Sequence, residues 1–320
     1  MQPDYILIVG QGRSGTNWLL DLLDLSPYTH CRNEADKLQN SPFAQLPSPV
    51  VQQPFDENFG QQWDQAIAIT ASRLGERDRI GTHPKLHLYE PVRRLGGAAI
   101  LDKPKLRQVL SRVIPSLGQA EWQVPWWFAN PTALQKASLV LKLNRVPGWA
   151  EWVLLNRPKA LVLHIVRHPG GFLNSAVKRY ISYQDPVVVK RDNDERLRQI
   201  IKSDPQWAER FGNIEAMSID ELELWYWCYA NEVIYLAGHK RPNYVHLIYE
   251  DLVAKPMQFM KSIYEKCNLP WTTEIEKEIS NSASRSKSIA TAWHKKLQPE
   301  QVELVRRILN GSFMNQWWEE

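Results

Sequence analysis

Short runs of mostly apolar residues punctuate the chain at Tyr5–Val9, Ser138–Leu143, Leu161–Val166 and Tyr244–Tyr249. Each is too brief for a helix, and its apolar positions are consecutive rather than alternate. That pattern belongs to strands buried on both faces of a parallel sheet. Elsewhere the period lengthens to that of a helix, over about Asn17–Leu25, Gly171–Ser182, Glu221–Gly238, Pro256–Cys267 and Pro299–Leu309. The last three open on a Ser-x-Asp-Glu or Pro start signal. Strands alternating with helices predict an α/β fold, a central parallel sheet flanked by helices.

Two stretches depart from this rhythm. Residues 36–80 are rich in Pro, Gln and Asn and weakly patterned, which predicts a long excursion over the sheet edge. Residues 184–212 are highly charged and read as a mobile surface insertion. Long irregular segments of this kind are often lids or substrate loops. No internal repeat is visible, and 320 residues suffice for one large core, so a single domain over 1–320 is expected.

Composition narrows the class. With 43% apolar and 23% charged residues the chain reads as soluble and globular. No run approaches ~20 apolar residues, so no membrane span is expected, and the first strand leaves no room for a signal peptide ahead of it. Cys31, Cys228 and Cys267 lack metal-ligand spacing, which predicts a reducing, cytoplasmic setting. A net charge of +4 without a basic stripe excludes nucleic acid as the expected partner. Trp122, Trp126 and Trp127 crowd one Pro-containing stretch. With 36–80 they could frame an apolar or cationic small molecule.

The chemistry starts at residues 5–25, YILIVGQGRSGTNWLLDLLDL: strand, glycine-rich turn, helix. Backbone N–H groups and a helix N-terminus then converge on one point, an anion site suited to phosphate. Gly10, Gly12 and Gly15 satisfy the dinucleotide pattern G-x-G-x-x-G, while Gly10 and Gly15 also have P-loop spacing. However, Thr16 occupies the P-loop lysine position and Asn17 the metal-binding hydroxyl position, and Arg13 places a cation inside the loop. A second anion site is legible in LVLHIVRHPGGFLNSAVKRY, residues 161–180. Arg167 follows a strand at its carboxyl end, where open α/β sheets bind ligands. Ser175 and Arg179 share one helix face four residues apart, and guanidinium groups grip phosphate.

Together these motifs resemble the PAPS-dependent sulfotransferases, PAPS being 3′-phosphoadenosine 5′-phosphosulfate. The likeness covers Tyr5–Leu25, Ser138–Arg145 and Leu161–Tyr180, with further similarity at HLIYEDLVAKP (246–256) and RSKSIATAWHKKLQPEQ (285–301). It implies a P-loop NTPase-like fold. It also implies that Gly12, Arg13, Ser14, Gly15, Thr16, Asn17 and Trp18 surround the 5′-phosphosulfate. Arg167, Ser175 and Arg179 would take the 3′-phosphate, and Tyr249, Arg285 and Ser286 would lie by the nucleotide. Lys142 falls where tyrosylprotein sulfotransferases set a lysine against the leaving phosphate, with Arg13 as a second cation.

Asn144 stands where cytosolic members carry their catalytic His. Glu34, in CRNEAD, matches the catalytic Glu of tyrosylprotein and carbohydrate members. Asp36 and His83, His87, His164 and His168 are the other candidates for base. No metal is implied, since sulfuryl transfer develops less charge than phosphoryl transfer and fixed cations can stabilise it. The expected acceptor is a small alcohol, phenol or amine, with a glycan as the alternative and neither nucleic acid nor membrane as partner. Outside the family, a P-loop phosphotransferase lacks its Lys and Ser/Thr. An NAD-dependent oxidoreductase lacks a convincing second strand before Glu34.

Overall fold

The computed structural model describes residues 2–37, 41–52, 56–74, 83, 85–90, 129–183 and 185–318. At its centre lie β1 (Ile6–Gly10), β2 (Thr29–Asn33), β3 (Ser138–Asn144), β4 (Leu161–Val166) and β5 (Tyr244–Ile248), in the order β2-β3-β1-β4-β5. Every pairing is parallel. The α/β reading with a central parallel sheet is therefore correct, and the chain switches from one side of β1 to the other between β3 and β4. Open sheets bind ligands beyond the carboxyl ends of the strands at such a switch.

Alternation along each strand divides the core in two. Ile6, Ile8, Val140, Leu163, Ile165 and Leu247 face α1 (Thr16–Asp24), while Leu7, Val9, Leu139, Leu141, Leu143 and Val162 face the opposite layer. That opposite layer contains α2 (Glu57–Ser72) and α3 (Pro147–Asn156), whose Phe59, Trp63, Trp149 and Trp152 form a packed aromatic cluster. Further along come α4 (Pro169–Tyr183), α5 (Pro186–Ser203) and α6 (Ile219–Gly238). The chain then adds α7 (Tyr249–Ala254), α8 (Pro256–Lys266), α9 (Thr273–Ala290) and α10 (Pro299–Asn310). Residues of α7, α8 and α9, among them Leu252, Met260, Ile263 and Ile279, complete the core on the α1 side.

Three expectations need correction. β2 was not anticipated, because THCRN lacks an apolar run. It is buried all the same: Thr29 Oγ1 donates to the Leu23 and Ser26 carbonyls, and Arg32 Nη1 donates to the Arg73 carbonyl. The supposed excursion at 36–80 contributes α2, whose Phe59 and Trp63 are buried against Trp149 and Trp152 of α3. The charged stretch at 184–212 is helical, and α5 buries Leu197 and Ile200 against Leu222, Tyr226 and Tyr229 of α6. The tryptophans at 122, 126 and 127 lie outside the described residues.

The turn from β1 into α1 is held by close approaches. A Cβ on Gly10 would lie 2.5 Å from the Ile165 carbonyl oxygen, and one on Gly15 would lie 2.4 Å from the Tyr249 ring. Gly15 also has φ 95°, in the left-handed region. A Cβ on Gly12, by contrast, would meet no described atom within 4 Å. Gly15→Ala is therefore expected to lower stability by about 1–3 kcal/mol, whereas Gly12→Ala stays within about 0.5 kcal/mol of wild type. Urea unfolding of the two variants checks the contrast.

Candidate active site

The same alternation that divides the core aims polar side chains at one place. Lys142 and Asn144 share the face of Val140, Asn33 shares that of Cys31, Arg167 continues Leu163 and Ile165, and Tyr249 continues Leu247. All five positions are set on the α1 side at the carboxyl end of the sheet. There a cleft of about 650 Å³ is lined by residues of the glycine turn, α1, the ends of several strands, α5 and α9.

At its floor the Lys142 side chain is wholly buried. Its Nζ donates to Asn17 Oδ1 (2.8 Å), Asn33 Oδ1 (2.8 Å) and Glu34 Oε1 (2.7 Å). An ammonium carries three N–H donors, and protein oxygens take all of them. The resemblance sets Lys142 against the leaving phosphate; in this structure its ammonium is bonded to Asn17, Asn33 and Glu34, and it is not among the residues lining the cleft. Glu34 follows β2 directly with φ 51°, and its N–H donates to the Lys142 carbonyl at 2.8 Å. Asn144 Nδ2 donates to the same Glu34 oxygen that Lys142 holds, while Asn144 Oδ1 accepts from Thr16 Oγ1 at 3.0 Å. The Glu34 carboxylate is about a quarter exposed, at 27%, and opens on the cleft.

The second group lies around the turn. Arg13, with φ 80°, donates from Nε to Ser175 Oγ at 2.9 Å, joining the two anion motifs read from the sequence. Arg167 donates to the Arg13 carbonyl (3.2 Å) and the Ile289 carbonyl (2.8 Å), and it stacks over the Tyr249 ring at 4.8 Å. Burial lowers the pKa of its guanidinium from the ordinary arginine value, and the nearby Arg13 adds to the effect. Its Nε and the hydroxyl of Ser14 are buried without partners among the described residues. Trp18 meets Tyr249 edge to face, donates from Nε1 to Ser282 Oγ, and lines the cleft with Ser286 and Ile289.

Of the residues named from sequence, Gly12, Arg13, Gly15, Thr16, Asn17, Trp18, Glu34, Arg167, Ser175, Tyr249 and Ser286 meet in this one cleft. Ser14 does not line it, since its side chain is buried beneath the turn. The side chains of Arg179 and Arg285 lie outside the described residues. The alternative bases are elsewhere. His164 points to the opposite face, bonded to Tyr244 and Asn231, with burial lowering its pKa to about 3. His168 stacks on Trp293 at 4.3 Å, its pKa lowered to about 4 chiefly by burial. His87 is buried against His30, and His83 is half-buried. Asp36 is covered by Lys37, and burial raises its carboxyl pKa. Sequence reasoning missed Asp21, Lys37, Arg145, Asp192 and Arg196, which also line the cleft. Asp192 and Arg196 could not be found while α5 was read as irregular. Among the described residues no group of three His, Cys, Asp or Glu side chains could hold a metal ion.

A family model described as "Sulfotransferase family" matches residues 3–273. Among solved structures, the sulfotransferase domain from the curacin biosynthetic pathway is similar at 15% identity, covering 97% of each chain with a TM-score of 0.46. The sulfotransferase domain of the Synechococcus PCC 7002 olefin synthase is similar at 15% identity, covering 96% of this chain and 94% of its own, with a TM-score of 0.42. A sulfotransferase from Mycobacterium avium is similar at 13% identity, covering 100% of this chain and 78% of its own, with a TM-score of 0.43. No curated protein sequence matches the chain.

The knot at the floor makes its own prediction. Lys142→Met strands the Glu34 carboxylate and two amide oxygens, and is expected to cost about 3 kcal/mol. That is the low end for breaking a buried pair, because Glu34 is partly open. Adding Glu34→Gln should recover part of this loss, giving a non-additive double-mutant cycle in urea unfolding.

Proposed function

The chain belongs to the sulfotransferase family, and from that premise we propose that it transfers a sulfuryl group from PAPS to a hydroxyl or amine of an acceptor. The observation that carries this reading is the single cleft shared by the glycine turn, the Arg167–Ser175 region and the Glu34 carboxylate. The fit to an anionic donor rests on Arg13, the N-terminus of α1, and Arg167, which lines the cleft with its Nε buried and without a partner among the described residues. When bound, PAPS supplies the sulfuryl group on a leaving phosphate that needs little further activation.

The roles proposed for the protein groups are supported by the resemblance and by the cleft that most of them share. Residues 12–18 hold the 5′-phosphosulfate, and Arg167 with Ser175 holds the 3′-phosphate, with Arg179 proposed beside them. Trp18, Tyr249 and Ser286 flank the nucleoside, with Arg285 proposed there on the resemblance alone. Glu34 accepts the proton of the acceptor, oriented by Lys142 and Asn144. Arg13 stabilises charge developing on the departing phosphate, with no metal required. The acceptor is a small alcohol, phenol or amine in a cytoplasmic reaction. A glycan is the second reading, favoured by the charged Lys37, Asp192 and Arg196 along the same cleft.

Calorimetry should find PAP bound at least about tenfold more tightly than AMP, since hydrogen bonds to charged groups contribute ~1.5–3 kcal/mol. Equal affinities would refute the 3′-phosphate assignment. Glu34→Gln should lower release of PAP from PAPS by about 10²–10⁴-fold, the usual contribution of a positioned base, with PAP affinity retained. Full turnover in that variant would remove Glu34 from the mechanism.

A further inference from the structure

We infer that Glu223, on α6, is a positioning residue that fixes the Glu34 carboxylate through the corner after β3 and ties α5 to it; this rests on Glu34 being the base. Glu223 is only 2% exposed. Arg145 Nη2 donates to both of its carboxylate oxygens at 3.0 Å, and Asn193 Nδ2 of α5 donates to Oε1 at 2.8 Å. One acid therefore joins α6, α5 and the strand end.

Arg145 is the residue on which this matters. It follows Asn144 directly and has φ 61°, a conformation that costs a non-glycine residue of order 1–3 kcal/mol and persists only when its surroundings impose it. The surroundings are specific. Its N–H donates to the Gly10 carbonyl at 3.2 Å, its own carbonyl accepts from the Tyr226 hydroxyl at 3.2 Å, and its guanidinium is held by Glu223. Arg196 of α5 stacks over the same Tyr226 ring and donates to Asn193 Oδ1. The corner thus has backbone anchors to the glycine turn and to α6, and a carboxylate anchor shared with α5.

What the corner controls is the direction of Asn144. Its amide bridges Thr16 and Glu34, donating to the oxygen that also receives Lys142. With the Glu223 carboxylate gone, the strained residue next to Asn144 loses the two-oxygen clamp on its guanidinium. The amide is then able to turn, and Glu34 loses one of the hydrogen bonds that orient it. A displacement of about 1 Å at a reacting group can cost on the order of 100-fold in rate. On the nucleotide side of the cleft, the described contacts of Arg167, Trp18 and Tyr249 run to the Arg13 and Ile289 carbonyls, to Ser282 and to one another; of the donor-binding turn only Thr16 is reached through Asn144.

Glu223→Gln keeps the shape but turns one carboxylate oxygen into an NH₂ facing the N–H donors of Arg145 and Asn193. The measurements are PAP affinity by calorimetry and release of PAP from PAPS, with water as the sole acceptor. The expected result is a turnover loss of about 10–100-fold with PAP affinity within about twofold of wild type. In a Glu34→Gln background the same substitution should add little, because the base it orients is already gone. Asn193→Ala, which removes the α5 contact to Glu223 and the Arg196 contact with it but leaves the Arg145–Glu223 pair, should show a smaller loss of the same kind if Glu223→Gln fails to fold. Wild-type turnover in both variants, an equal loss in the Glu34→Gln background, or a loss of PAP affinity as large as the loss of turnover would overturn the inference. An inactive Glu34→Gln beside a fully active Glu223→Gln would overturn it alone, whereas a fully active Glu34→Gln would overturn the proposed base as well.

Discussion

The site depends on one ammonium taken completely out of water. Lys142 is buried on β3, and the cost of desolvating its charge is several kcal/mol. It is offset by oxygens from three different elements: Asn17 on α1, Asn33 at the end of β2, and Glu34 beyond it. None of the three can drift without leaving a charge or an amide unsatisfied. The lysine therefore sets the distance between the glycine turn and the acid, although it does not open on the cleft itself. A cation in the wall performs the alignment, while the cation at the mouth, Arg13, faces the ligand space.

Backbone strain gathers around the same point. Arg13, Glu34 and Arg145 are non-glycine residues in the left-handed region, and each lies just beyond a strand end at the cleft. Such residues persist only where surrounding contacts over-determine them. Here the contacts are visible: Arg13 is held by Ser175, Glu34 by the β3 backbone and side chains, and Arg145 by Gly10, Tyr226 and Glu223. The strand ends that frame the cleft are thus each tied to a neighbouring element.

Legibility in the sequence followed how local each signal was. The turn at 10–16 and the helix after it were readable because glycine spacing and an apolar run lie within one short segment. Four of the strands showed as apolar runs for the same reason. β2 did not, since His30 and Arg32 are polar groups whose burial depends on partners distant in sequence. Overlooking it supplied one argument against a dinucleotide enzyme that the structure removes, as a strand does precede Glu34. Lys142 was visible as a lysine at a strand end, but its three acceptors come from segments more than 100 residues away, so its bonds to Asn17, Asn33 and Glu34 could not be read locally. Glu223 gave no sign at all: within its helix it reads as one acid among several.

The carboxyl-terminal part of the chain closes over the β4 corner. Arg167 is anchored by the Ile289 carbonyl, and Trp293 lies flat on His168 where a side chain at Gly170 would collide with it. During synthesis on the ribosome, β1, β2, β3 and β4 emerge long before these residues. The cleft cannot reach its final form until the chain has passed position 293 and cleared the exit tunnel. A nascent chain thus holds Glu34 and its supporting lysine while still lacking the carbonyl that anchors Arg167.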